Sequence, residues 1–303
     1  MNLSDIGEDE LIRRATVLCP QPEGRGHGPG DDCAVVDTGG GEFLLLKTDA
    51  LVEHVHYPSG ENARRVGWKA IARVASDFAA MGGHPAEYLV TLALPKSTPV
   101  AWVEDLYRGM ARCMHNHGGL LAGGETSSVP EGSARVVSIT GAGRVRKEHL
   151  VLRSGGNPGD LVLVTGTLGG SLAGKHLDFT PRIEQARWLA EHFRPTAMMD
   201  VSDGLARDLP RLAAASGCGL SLTRESVPRT PGCSLDQALN DGEDFELLMA
   251  MPPESWPALS RQWRERFPHL ALTHIGSLVP QGQGEVLCGG WEHFPSSHEQ
   301  SSD

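Results

Sequence analysis

The chain has 303 residues, a formal net charge of −11 and 40% apolar residues, which describes a folded protein with room for more than one core. An acidic balance of this size lacks the basic footprint that nucleic acid requires, so no nucleic-acid partner is expected. The six cysteines show no C-x-x-C pair or zinc spacing, and no run has the length of a membrane span or a signal core; together these predict a soluble cytoplasmic protein without a membrane partner.

After a polar, Gly-rich opening through Gly30, the runs "DCAVVD" and "EFLLLKTDALVE" read as a hairpin across "TGGGE". Between Asn62 and Met81 the period changes: Val66, Ala70, Val74 and Phe78 recur every fourth residue, which predicts a helix stopped by Gly82-Gly83. "AEYLVTLALP" is a strand. A helix follows, with Thr98 as its cap and Pro99 in its first position, and it ends at Gly118; "ARVVSITGAGRV" is the next strand. Turn formers cluster in "RSGGNPGD", the expected boundary between two domains, 1–148 and 149–303.

Beyond the boundary, "LVLVTG" is a strand and "TPRIEQARWLAEHF" a helix with Thr180 and Pro181 at its start. "AMMDVSDG" is a strand entering an acidic loop, and "LPRLAAASG" a helix that tolerates Pro210 only in its first turn, with Asp208 as cap. "GLSLTRESV", "DFELLMAMP" and "LTHIGSLV" are further strands. Both halves mix helix and strand with hairpin-like connections, so the fold class is α+β with two domains.

Five carboxylate stations stand at element ends or in Gly-rich loops: "GDDC", "KTDA", "ASDFAAMGG", "AGGETSS" and "MDVSDG". Each alone reads as a solvated loop residue. Asp77 is harder to dismiss, because the macrodipole disfavours an anion in the last helical turn by up to about 1 kcal/mol, and a bound cation would reverse that. Carboxylate oxygens suit hard divalent cations, and the pattern suggests magnesium-assisted chemistry on a phosphorylated nucleotide. "GGSLAGK" satisfies G-x-x-x-x-G-K, but His176 follows where a P-loop needs a hydroxyl, so it reads as a strand-to-helix turn.

The stations "GDDCAVV", "TDALVEHVHY", "KAIARVASDFAAMGG", "AGGETS", "RSGGNPGD", "DVSDGLARDL", "DGEDFELL" and "GWEHF", in this order and spacing over nearly the whole chain, closely resemble the thiamine-monophosphate kinase family. That family belongs to the ATP-binding superfamily that includes aminoimidazole ribonucleotide synthetase. The resemblance implies a two-domain α+β fold, a homodimer formed through the N-terminal domain, and direct transfer of the γ-phosphoryl group of ATP to thiamine monophosphate. Catalysis is then electrostatic and positional, with no side chain as nucleophile.

Carried over by motif, Asp32, Thr48, Asp49, Asp77, Glu125, Asp200 and Asp203 are the implied ligands of several magnesium ions, with Asp31 beside the first of them. Tyr107, Gly124, Arg153 and Ser202 are the implied ATP contacts; His56, Glu243 and Trp291 are those of the acceptor, with Trp291 suited to stack on a heterocycle. Four positions depart from the family pattern: Lys47 in place of a hydroxyl residue, Val74 in place of Asn, Glu125 in place of Asp and Asp241 in place of Gly. They keep two alternatives open, a related ATP-using ligase with another acceptor and a weakly active or non-catalytic nucleotide-binding relative.

Overall fold

The structure, a computed structural model, describes residues 2–20 and 26–294. Helix α1 (Gly7–Thr16) leads into strands β1 (Gly26–His27), β2 (Ala34–Val36) and β3 (Glu42–Val52). Helix α2 (Ala63–Ala80), strand β4 (His84–Pro95), helix α3 (Val100–His117) and strands β5 (Leu120–Val129) and β6 (Val136–Arg146) complete the first half. Its six strands form one sheet in the order β1-β2-β3-β6-β4-β5. Among the described strands of this sheet only the β4–β5 pair is parallel, since α3 carries the chain back across the sheet. Helix α2 packs on one face, against Gly141 and Gly143, and the other face is open. Strand β6 accordingly alternates, with Val137, Ile139 and Val145 buried and Thr140 and Arg144 exposed.

The second half runs β7 (Leu161–Thr165), α4 (Lys175–Asp178), α5 (Ile183–His192), β8 (Ala197–Asp200), α6 (Leu205–Ala215), β9 (Cys218–Leu222), α7 (Leu235–Asn240), β10 (Leu247–Met251), α8 (Trp256–Arg266) and β11 (Leu272–Pro280). These strands form an antiparallel sheet ordered β8-β10-β7-β11-β9. One face packs on α6 and α7, and the other on α5 and α8 together with Ala75 and Ala79 of α2. Strand β10 is buried at every position, which is why "LLMAM" carries no alternation. Among the described residues no helix is long and apolar enough to cross a membrane.

Helix α2 is the element shared by both halves. The Asn62 side chain caps it by accepting from the Arg64 N–H (2.9 Å), and it is buried on nearly every side. It crosses α3 at two glycines: a Cβ on Gly67 would lie 1.9 Å from the Leu106 carbonyl oxygen, and one on Gly109 2.0 Å from that of Arg64. Gly67→Ala or Gly109→Ala should therefore destabilise the chain by about 1–3 kcal/mol, as overpacking does. The expected readout is a melting temperature lower by several degrees, and an unchanged melt in both variants would contradict the crossing.

Several local expectations need correction. Pro99, not Thr98, is the N-cap residue of α3, and Thr98 Oγ1 makes no cap bond. Helix α5 starts at Ile183 and not at Thr180 and Pro181; Arg182, whose backbone is non-helical, is its N-cap residue and pairs with Glu246. Helix α6 begins at Leu205, so Pro210 lies inside it; the N–H it lacks would have met the Ala206 carbonyl. Asp208 is not the cap. Its Oδ2 accepts from the Ser202 and Asp203 N–H groups (both 2.9 Å) and so shapes the acidic loop. "AGGETSS", read as a loop, belongs to strand β5 at the sheet edge.

Candidate active site

Three carboxylates meet where the two halves join: Asp32 before β2, Asp77 in the last turn of α2 and Asp200 at the end of β8. All are buried, and one oxygen from each lies within 4.8 Å of the others. Such proximity disfavours ionisation. Burial and the nearby Asp32 push the Asp200 carboxyl up to about 6, and Asp77 is driven well above the usual range by burial and by Asp200 despite Lys47. Asp31 is also raised to about 6, by burial and by Asp32.

Partial compensation comes from the chain itself. Arg153 Nη2 donates to Asp32 Oδ1 (2.6 Å), Lys47 Nζ to Asp77 Oδ1 (2.8 Å) and Ser76 Oγ to Asp200 Oδ2 (2.5 Å). Burial would strip the proton from Lys47, but Asp77 and Asp49 outweigh it and hold the ammonium charged. Asp32 Oδ2 is buried with no hydrogen-bond partner among the described residues. A fixed, buried, oxygen-only donor set with an orphaned acceptor fits a hard divalent cation.

Beside this cluster lies a cavity of about 150 Å³, opening next to a cleft of about 750 Å³; His56 and Trp291 line both. Arg73 from α2, Ser202 and Asp203 from the loop after β8, and Asp241, Glu243 and Phe245 also line the smaller cavity. Arg73 Nε stands 3.0 Å from Asp49 Oδ2, which ties the cavity to β3. His56 Nδ1 accepts from the Val52 N–H (3.0 Å), and burial, then Arg73, push the imidazole down to about 4. At neutral pH it is uncharged and its remaining proton is on Nε2. Trp291 is 48% exposed and held by its N–H to the Asp203 carbonyl (2.8 Å).

Glu243 has an unusual backbone, with φ +52° at both Glu243 and Phe245. The strain is sustained by N–H donation from Glu243 to the Ser202 carbonyl (2.7 Å) and from Phe245 to that of Val201 (2.8 Å), and by stacking of Phe245 on Phe179. Lys69 of α2, fully buried, supports the side chain: Nζ reaches Glu243 Oε2 (2.7 Å), the His56 carbonyl oxygen (2.7 Å) and His176 Nδ1 (2.6 Å). Burial would raise the Glu243 carboxyl, but His176 and Lys69 hold it down at about 2, while burial brings Lys69 to about 8.

The structure thus gathers Asp32, Asp77 and Asp200 with Arg153 at one point, and His56, Ser202, Asp203, Glu243 and Trp291 around one cavity, with Asp49 linked through Arg73. It does not bring the rest together within one chain. The Thr48 hydroxyl meets Thr140 Oγ1 (3.2 Å) on the open face of the sheet. Gly124 and Glu125 lie on β5, three strands from β3 or about 14 Å at ordinary strand spacing, and Tyr107 packs on α3 against the first core.

The "GGSLAGK" loop is closed to phosphate by the chain's own acids. The Gly169 N–H donates to Asp244 (3.0 Å), that of Gly170 to Asp241 Oδ2 (2.7 Å), and Lys175 Nζ to the Thr167 carbonyl (2.8 Å). Lys69, His176 and Asp208 were missed from sequence. A signal existed for Lys69: apart from Lys69 and Arg73, "GWKAIARVA" is apolar on every side of the helix, so a lysine within it needs a buried partner.

Comparison with known proteins follows this geometry. The models of the N-terminal and C-terminal domains of AIR synthase related proteins match residues 30–145 and 157–288. Thiamine-monophosphate kinase of Rhodopirellula baltica is 35% identical over 274 residues, 83% of each chain. The solved structure of AaThiL complexed with AMPPCP and TMP superposes with a TM-score of 0.82 at 31% identity, covering 97% of this chain and 99% of its own. Thiamine monophosphate kinase of Aquifex aeolicus gives 0.76 at 30% identity, with 93% and 97% covered. With two such domains in order and relatives matched over most of their length, the chain belongs to the thiamine-monophosphate kinase family.

Proposed function

We propose that the chain transfers the γ-phosphoryl group of ATP to the phosphate of thiamine monophosphate, giving thiamine diphosphate and ADP. The observation that carries this reading is the buried Asp32–Asp77–Asp200 cluster beside the cavity of His56, Glu243 and Trp291. Transfer between two phosphates needs cations to let two polyanions approach and a frame to hold them in line. Magnesium held by Asp32, Asp77 and Asp200, with Thr48, Asp49, Glu125 and Asp203 as further proposed ligands, would neutralise phosphate oxygens. Arg153, Lys47 and Arg73 add fixed positive charge around that point. Trp291 offers a ring face to the acceptor heterocycle, and the His56 Nε2 proton a donor. An acceptor phosphate oxygen forms the new P–O bond as the bond to ADP breaks; the attacking oxygen is already ionised, so no side chain must take a proton.

We further propose a cytoplasmic homodimer, divided into domains at 148/149, in which the open sheet face and the β5 edge meet a second copy. Leu46, Leu89, Leu120 and Leu121 are exposed there. Gly124 and Glu125 lie on that edge, and we assign them, with Tyr107 of α3, to the far end of the nucleotide, completed by dimerisation. Sedimentation should give twice the 32.4 kDa chain mass.

Incubation with ATP, magnesium and thiamine monophosphate should yield ADP and thiamine diphosphate in equal amounts. Release of ADP and free phosphate triggered by a different acceptor would point to the ligase-type alternative, and ATP binding without turnover to a non-catalytic relative.

A further inference from the structure

Nearly every charge lining the smaller cavity has its own partner. Glu243 is paired with Lys69 (2.7 Å), Asp203 with Arg211 (2.5 Å) and Arg73 with Asp49 (3.0 Å), while His56 is neutral. Asp241 is different. It follows α7, its Oδ2 accepts the Gly170 N–H (2.7 Å), and among the described residues it has no cation within ion-pair distance. The hydrogen bond fixes the carboxylate without neutralising it, so an uncompensated negative charge remains in a partly enclosed cavity. Phe245 and the half-exposed Trp291 line the same space. A fixed carboxylate beside aromatic faces is the environment that recognises a planar organic cation.

We propose that Asp241 is a specificity-determining residue, the carboxylate that selects the positively charged azolium ring of the acceptor over a neutral ring of the same shape. This rests on the reading of the cavity as the thiamine monophosphate site. The selection acts on binding and leaves the transferred phosphoryl group untouched. Asp241 has to be rigid to discriminate by charge, and the Gly170 N–H supplies that rigidity before the ligand arrives.

Calorimetry on the full chain tests it with two probes: thiamine monophosphate, and its isostere with the charged ring nitrogen replaced by carbon. The wild-type chain should bind the charged ligand about tenfold more tightly than the neutral one. Asp241→Asn, which keeps an acceptor for Gly170, should remove that preference by weakening the charged ligand alone, and Asp241→Glu should retain part of it. Equal affinity of the wild-type chain for both ligands overturns the inference and leaves the proposed reaction standing. Failure of thiamine monophosphate to bind at all overturns both. Equal weakening of the two ligands by Asp241→Asn also overturns it; should that variant fail to fold, Asp241→Ala takes its place and should lose the same preference, and retention of the full preference there overturns the inference.

Discussion

Asp77→Asn should lower kcat on the order of 10³-fold, the scale expected when a group that fixes charge at the reacting centre is lost. It should do so without lowering the melting temperature in metal-free buffer. The two effects have one cause. Burial, with Asp200, Asp49 and Asp32 nearby, makes the ionised Asp77 carboxylate unfavourable in the folded chain, as its raised pKa records. Asn keeps the shape and removes the charge, which relieves the repulsion; against this stands loss of the Lys47 contact (2.8 Å), partly replaced by Asp49. The wild-type chain should gain several degrees of thermal stability from magnesium by mass action, and the variant should gain little. Wild-type kcat, or an undiminished magnesium-induced shift, would remove Asp77 from the cation site.

The legibility of the sequence follows the same physics. Strands β7 and β10 and helix α2 were readable because burial leaves a mark in residue type: unbroken apolar runs where both faces are covered, a four-residue recurrence where a stripe packs. Strand β5 was not. It is an exposed edge, so "AGGETSS" carries no apolar signal, and its pairing with β4 is set by α3 and not by its own residues. Pro210 misled for a related reason, since the start of α6 is decided by Asp208 holding the preceding loop, a contact made by tertiary folding.

The acidic stations were legible as residues and illegible as a geometry. Asp32, Asp77 and Asp200 converge because β2, α2 and β8 meet across the two halves, which no spacing records. The Lys47 departure was visible in the sequence; that its ammonium reaches Asp77 Oδ1, standing as a fixed cation at the cluster, was not. Charges that need long-range partners are thus the part of a site that sequence patterns convey least.

Lys69 is the strongest instance, and Lys69→Met should show it. Nζ is fully buried and joins α2 to Glu243, to the His56 backbone and to His176 of α4, so one side chain spans both halves. Removing it leaves the Glu243 carboxylate largely buried without its lysine, which should destabilise the chain by about 3–5 kcal/mol. Glu243→Gln alone should cost less, because Lys69 keeps the His56 carbonyl as an acceptor and the glutamine amide oxygen can replace the lost carboxylate oxygen. The double variant should recover much of the stability lost in Lys69→Met, since no buried charge is left unpaired. Acceptor KM should not recover with it. Lys69 fixes both the His56 main chain and the Glu243 carboxylate, so KM for thiamine monophosphate should rise at least about tenfold in the double variant while KM for ATP changes little. Denaturant unfolding and steady-state kinetics on the four proteins of the cycle separate the two roles. If acceptor KM in the double variant is no higher than in Glu243→Gln, Lys69 serves the fold alone; if it is higher in the refolded double variant, Lys69 positions the acceptor site beyond its hold on Glu243.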